Sequence, residues 1–280
     1  MEKKKVNLQE LEEKARRLRI DIIKMLTRAG SGHPGGSLSA ADILAALFFY
    51  KMRHDPRNPD WPERDRFILS KGHCCPALYA VLSMAGYFDR KHLWTLRKLG
   101  SILQGHPSST MTPGVTISSG SLGQGLSVSN GIAIAGKLDN KDYRVYCMLG
   151  DGESQEGQVW EASMTSYHRK LDNLCAIIDH NDLQIDDRVS CIKEPISYAE
   201  KWSSFGWNTI EIDGHDMGQI VRALDEAEKV KCVPTMIVAN TLKGKGVSFM
   251  EDDVTWHGRA PNEVQAKKAL EELGGDLDVQ

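Results

Sequence analysis

A three-layer α/β/α domain on a mainly parallel sheet is the expected architecture, and three observations point to it. Short aliphatic, β-rich runs alternate with helical patterns through most of the 280 residues. No stretch rich in Pro, Gly or Ser divides the chain, and no internal repeat or low-complexity segment breaks it into units. Two of the apolar runs stop abruptly in polar, glycine- or asparagine-bearing turns, as strands do where their carboxyl ends form a binding rim.

The first expected element is a helix over residues 1–28. Leu8, Leu11, Ala15, Leu18 and Ile22 recur there at helical spacing between charges, an N-terminal extension suited to packing along another subunit. Strands are expected at 67–69, 145–149, 174–179, 207–212 and 235–239. Helices are expected at 41–50, 76–85, 122–137, 160–170 and 217–230. One more, over 262–273, precedes a polar tail. The whole of 1–280 reads as a single domain.

Composition removes several functional classes. Hydrophobic content of 41% and charged content of 26% are ordinary for a globular protein. A net charge of −3 argues against a nucleic-acid binder, which normally carries excess Lys and Arg. The basic run Met1–Lys5 reads as a solvated tail. No apolar run reaches the roughly 18 to 20 residues of a membrane helix, and the charged start is no signal peptide. The six cysteines contain no CxxC pair, so a reduced, cytoplasmic chain is expected.

The chemistry concentrates in two strand-end turns. VYCMLGDGESQEG runs from a buried strand into Gly150-Asp151-Gly152, where two glycines allow a tight turn and close ligand approach. The next strand runs into Asp179-His180-Asn181-Asp182. Adjacent parallel strands would present Asp151 and Asn181 at one sheet edge. A carboxylate, an amide oxygen and a nearby carbonyl are hard ligands for Mg²⁺ or Ca²⁺, and such an ion typically holds phosphate oxygens as well. An anchored diphosphate is the reading that follows. An EF-hand over 179–187 fails, because Leu183 and Gln184 stand where an oxygen ligand and a glycine are required.

Two further patterns are weaker alone. SSGSLGQGLSVSNG (118–131) opens a helix with three glycines, whose free N–H groups would favour an anion, yet the spacing is neither Walker A nor GxGxxG. Close helix packing explains it nearly as well. Four histidines, His33, His73, His106 and His257, each stand beside glycine in expected loops, which suits a polar pocket handling phosphates, hydroxyls or protons. A zinc site is the rival account, but tight zinc-motif spacings are missing.

Together the motifs resemble the transketolase family of thiamine-diphosphate enzymes. They are SGHPGG (31–36), KGH (71–73), GHP (105–107), GSLGQG (120–125), GDGESQEG (150–157) with Asn181, and KGKGVSFMEDDVTWHG (243–258), in family order from about residue 18 to 266. The resemblance implies a thiamine-diphosphate-binding fold. It further implies Asp151, Asn181 and the Leu183 carbonyl as ligands of Mg²⁺ (or Ca²⁺ or Mn²⁺). His73, His257, Gly150 and the Gly152 amide would meet the diphosphate, and Gly120 and Leu122 the aminopyrimidine. His33 and His106, with His73 and His257, match substrate-facing catalytic histidines. Glu156 and Glu161 match glutamates that link two cofactor sites across a dimer interface.

The resemblance covers only the first domain of a transketolase. The expectation is therefore a diphosphate-binding subunit that works with a separate chain carrying the pyrimidine-binding and C-terminal domains, as an α2β2 assembly acting on sugar phosphates. Alternatives are a 1-deoxyxylulose-5-phosphate synthase-like or 2-oxo acid dehydrogenase α-like subunit, or a non-catalytic scaffold. The histidine set and the QEG after GDG disfavour the enzyme alternatives, and retention of Asp151 and Asn181 disfavours the scaffold.

Overall fold

The computed structural model describes residues 6–193 and 197–276. Residues 1–5 of the expected first helix and 277–280 of the polar tail lie outside the described residues. In chain order the main elements are α1 (Leu8–Ala29), α2 (Pro34–Ser39), α3 (Ala41–Ala46), β1 (Arg66–Leu69), α4 (Cys75–Ala85) and α5 (Gln124–Leu138). β2 (Val145–Gly150), α6 (Gly157–His168), β3 (Leu174–His180), α7 (Val189–Lys193) and α8 (Tyr198–Ser204) follow. The last are β4 (Asn208–Asp213), α9 (Met217–Lys229), β5 (Thr235–Asn240) and α10 (Glu263–Glu272).

The five strands form one sheet in the order β1-β2-β3-β5-β4, every pairing parallel. Parallel strands with helical crossovers must bury both faces, and the residues obey that demand. Along β2, Tyr146 and Met148 join one core, with α1, α3, α4, α9 and α10. Val145, Cys147 and Leu149 join the other, with α5, α6 and α8. β3 alternates likewise, with Cys175 and Ile177 on the first side and Leu174, Ala176 and Ile178 on the second. This period of two across a continuous apolar run produces three layers.

Local chemistry sets the helix limits. Asn7 caps α1 by accepting from the Glu10 amide, and Gly30 closes it at φ 65°. Asn262 and Gln265 form a reciprocal capping box at α10. Four expectations shift by two residues or more, the first being that α1 starts at Leu8, behind its Asn7 cap, rather than at residue 1. The helix expected over 41–50 is α-helical only to Ala46 and continues as a π turn, Leu47–Lys51. α6 begins at Gly157, three residues before the expected 160, and α5 begins at Gln124 rather than 122. The sequence does not announce α2, α7 and α8: they are 6, 5 and 7 residues long, too short for an apolar periodicity to register.

Candidate active site

The carboxyl ends of β1, β2, β3 and β5 open into one cavity of about 430 Å³, within the size range of small-molecule sites. Lys71 and His73 follow β1, Asp151 and Gly152 follow β2, Asn181 and Leu183 follow β3, and Lys243 follows β5. His33, His106, Gly120, Leu122, Gly150, Glu156 and His257 line the same cavity. The structure thus gathers His33, His73, His106, His257, Gly120, Leu122, Gly150–Gly152, Glu156, Asn181 and Leu183 around one space. Glu161 stands apart, exposed on α6 and not on the cavity wall.

Asp151 is only 2% exposed. Its Oδ2 accepts the Asn181 amide at 2.6 Å and the Asp182 amide at 2.9 Å, while Oδ1 pairs with His180 Nδ1 at 2.7 Å. Burial alone would lower the His180 pKa, but the Asp151 bond and charge raise it. The Asp151 carboxylate therefore organises the start of the 181–188 loop, with Asp182 in the left-handed region at φ 57°. Asn181 Oδ1 accepts from the Leu183 amide at 3.2 Å. The Leu183 carbonyl accepts from Lys243 Nζ at 3.0 Å, so the chain already directs a cation at this oxygen. Among the described residues no three His, Cys, Asp or Glu side chains form a metal cage. One carboxylate, one amide oxygen and one carbonyl fit a hard divalent ion only if further oxygens come from elsewhere, such as a diphosphate. The donor set fits that group.

Three histidines form a triangle. Ring centroids are 5.1 Å apart for His33 and His73, 5.2 Å for His73 and His257, and 5.6 Å for His33 and His257. Burial, followed by neighbouring positive groups, lowers His33 and His73 to about 4 and His257 to about 3. All three are neutral at pH 7, able to donate one N–H without bringing charge. His33 Nδ1 is buried with no hydrogen-bond partner, an uncommon state for a polar atom of the interior. His106 lies against Gly120: a Cβ there would meet the imidazole at 3.2 Å, and its φ of 156° already excludes most side chains. The Tyr79 hydroxyl pins the His106 loop, reaching the carbonyls of Gln104 and His106 at 3.0 and 2.9 Å.

Sequence reasoning did not single out four charged groups here. Lys71, 2% exposed, pairs with Asp179, which is fully buried and also accepts from Ser39 Oγ at 2.6 Å and Thr241 Oγ1 at 2.5 Å. Burial opposes both charges, yet their pairing raises Lys71 and lowers Asp179. Lys243, 3% exposed, faces His257 Nδ1 at 2.9 Å, and burial lowers it to about 8. Glu153, 2% exposed, also reaches the cavity, and burial pushes its carboxyl up. Lysines in KGH and KGKG look like surface residues in a sequence, because Lys is rarely buried unless paired. The Gly123 and Gly125 amides at the start of α5 are not free for an external anion, because Glu153 and Ser70 take them.

Comparison with known proteins identifies the family. The family model described as the transketolase thiamine diphosphate binding domain matches residues 9–279. The chain is 44% identical over 273 residues to the 6-deoxy-6-sulfo-D-fructose transketolase subunit SqwG of Clostridium sp. (strain MSTE9), covering 98% of each chain. It is 40% identical to an apulose-4-phosphate transketolase subunit of Phocaeicola vulgatus, covering 98% of this chain and 97% of that one. The crystal structure of transketolase from Campylobacter jejuni superposes with a TM-score of 0.92 at 36% identity. That match takes in 98% of this chain but 44% of the other, so the chain spans less than half of that transketolase. The fold, the rim of Asp151 and Asn181 and these matches together mean that the chain belongs to the transketolase family and carries its thiamine-diphosphate-binding domain.

Proposed function

We propose that the chain is the diphosphate-binding subunit of a two-chain transketolase. It transfers a two-carbon ketol unit from a ketose phosphate to an aldose in concert with a second polypeptide. The observation that carries this reading is the meeting of Asp151, Asn181 and four histidine-bearing loops at one cavity. Support for the two-chain form comes from relatives of nearly the same length that are named as transketolase subunits. In this reading residues 1–280 are one diphosphate-binding domain, and the partner brings the pyrimidine-binding and C-terminal domains in an α2β2 assembly within the cytoplasm.

Thiamine diphosphate, when bound, supplies the nucleophile and the electron sink for breaking and forming the carbon–carbon bond. The chain's own residues bind and orient. Asp151, Asn181 Oδ1 and the Leu183 carbonyl hold the divalent ion, taken as Mg²⁺, with Ca²⁺ and Mn²⁺ as rivals. His73, His257, the Gly150–Gly152 backbone and Lys243 hold the diphosphate end. Gly120 and Leu122 line the ring, and Glu156 faces the dimer-related site. His33 and His106, neutral by burial, donate hydrogen bonds to substrate hydroxyls and to charge developing on the carbonyl oxygen, with His73 and His257 beside them.

The test is reconstitution. The purified chain is assayed for ketol transfer with thiamine diphosphate and Mg²⁺, alone and with a pyrimidine-domain polypeptide, against a panel of ketose phosphates. Activity only with the second polypeptide is expected. Robust turnover by this chain alone overturns the two-chain reading, and the panel separates a pentose phosphate role from a dedicated sugar route.

A further inference from the structure

We infer that Glu153 is a positioning residue: its two carboxyl oxygens take the acceptor place at the start of α5 and fix the three cofactor-facing loops relative to one another. The inference rests on the functional reading above. Glu153 Oε1 accepts the Gly123 amide at 2.9 Å and the Ser70 hydroxyl, and Oε2 accepts the Gly150 amide at 3.1 Å. Ser70 Oγ in turn accepts the Gly125 amide at 3.1 Å. One buried carboxylate thus joins the end of β1, the glycine loop and the turn after β2. Those segments carry Gly120 and Leu122 on one side and Asp151 on the other.

The close approach is built into the glycines. A Cβ on Gly125 would fall 2.3 Å from Ser70 Oγ, and one on Gly123, at φ 82°, would fall 2.9 Å from Glu156 Cβ. Glu153 also reaches the cavity wall, where burial pushes its carboxyl up while the Ser70 hydroxyl and the Gly123 and Gly150 amides pull the other way. A residue kept only for packing would be apolar there. What the carboxylate contributes is acceptor capacity on both oxygens, which no apolar or single-acceptor side chain supplies. It acts through the loops and not on the substrate.

Glu153→Gln keeps the size but has one acceptor oxygen, so the Gly123 or the Gly150 amide loses its partner. Far-UV dichroism first checks the fold, and amide hydrogen exchange then reads Gly123 and Gly150. Exchange about tenfold or more faster at one of them is expected. Calorimetry on the chain with its partner should show thiamine diphosphate bound about tenfold or more weakly, with kcat recovering at saturating cofactor. Ser70→Ala, which loses one Glu153 bond and the Gly125 acceptor, should shift both readouts less in the same direction. Unchanged exchange at both amides in a folded Glu153→Gln variant overturns the inference, as does wild-type cofactor affinity in both variants. If the wild-type pair takes up no thiamine diphosphate, the functional reading falls, and the exchange data alone decide the role of Glu153.

Discussion

Replacing Asp179 with Asn is the sharpest test of how the pocket floor is held. Asp179 is fully buried and its carboxylate collects Lys71 Nζ, Ser39 Oγ and Thr241 Oγ1, all donors. An amide of the same shape removes the charge and turns an N–H toward one side of this cluster. Lys71 is then a buried ammonium without a carboxylate, left with the Gly36 carbonyl at 3.0 Å and the Cys74 thiol. Breaking one side of a buried ion pair costs about 3–5 kcal/mol. For a domain of this size that corresponds to a melting temperature lower by roughly 6–20 °C. Urea unfolding followed by dichroism reads the midpoint, and an unchanged m-value shows that the shift is one of stability and not of the surface exposed on unfolding. The double variant Lys71→Met/Asp179→Leu removes both charges and should recover most of the loss, because an apolar pair of similar volume is often neutral. A loss below about 1 kcal/mol in Asp179→Asn, or a double variant as unstable as the single one, refutes the ion-pair argument.

Other outcomes follow from the same geometry. Asp151→Ala should abolish metal-dependent cofactor binding in the reconstituted pair, whereas His33→Ala should leave binding largely intact and lower turnover; equal losses of affinity would upset these roles. The triad His33, His73 and His257 sits well below the usual 6.5, so between pH 6.5 and about 4 the unfolded chain takes up protons that the folded chain refuses. Stability of the cofactor-free chain is therefore fully present above that window and falls as the pH drops through it. The loss is on the order of 1 kcal/mol per histidine after solvent screening, and a flat urea midpoint across the window contradicts it. Gly125→Ala should destabilise by about 1–3 kcal/mol through its clash with Ser70. Gly131→Ala, with nothing within 4 Å of the added carbon, should stabilise α5 by about 0.5–1 kcal/mol; thermal melts of the two variants compare them directly.

The strands are readable because both cores need apolar residues on alternate positions, which makes the runs at 145–149 and 174–179 continuous and easy to see. The turns after them are readable for a different reason: Asp151 between two glycines, and Asn181 after a buried strand, are costly unless they serve a rim. The buried lysines are not. Nothing in the local spacing of Lys71 or Lys243 says that Asp179 or the Leu183 carbonyl waits across the sheet, since those partners are 108 and 60 residues away. The glycine loop misleads in the same way. A helix start rich in glycine predicts an external anion, but the acceptor there is the Glu153 side chain, which only the folded arrangement of β1, β2 and α5 brings there. Pro34–Ser39 escapes because six mostly small residues carry no helical signature, although they seat His33 at the cavity.

That the rim of Asp151 and Asn181 grips a divalent ion, which in turn holds a diphosphate, is the expectation on which the proposed function stands. It is tested most directly by calorimetric titration of thiamine diphosphate into the chain with its partner, in Mg²⁺ and in EDTA, for the wild type and Asp151→Ala. Uptake that requires Mg²⁺ and disappears in Asp151→Ala is the expected result. Equal uptake in EDTA, or undiminished affinity without the Asp151 carboxylate, contradicts the account.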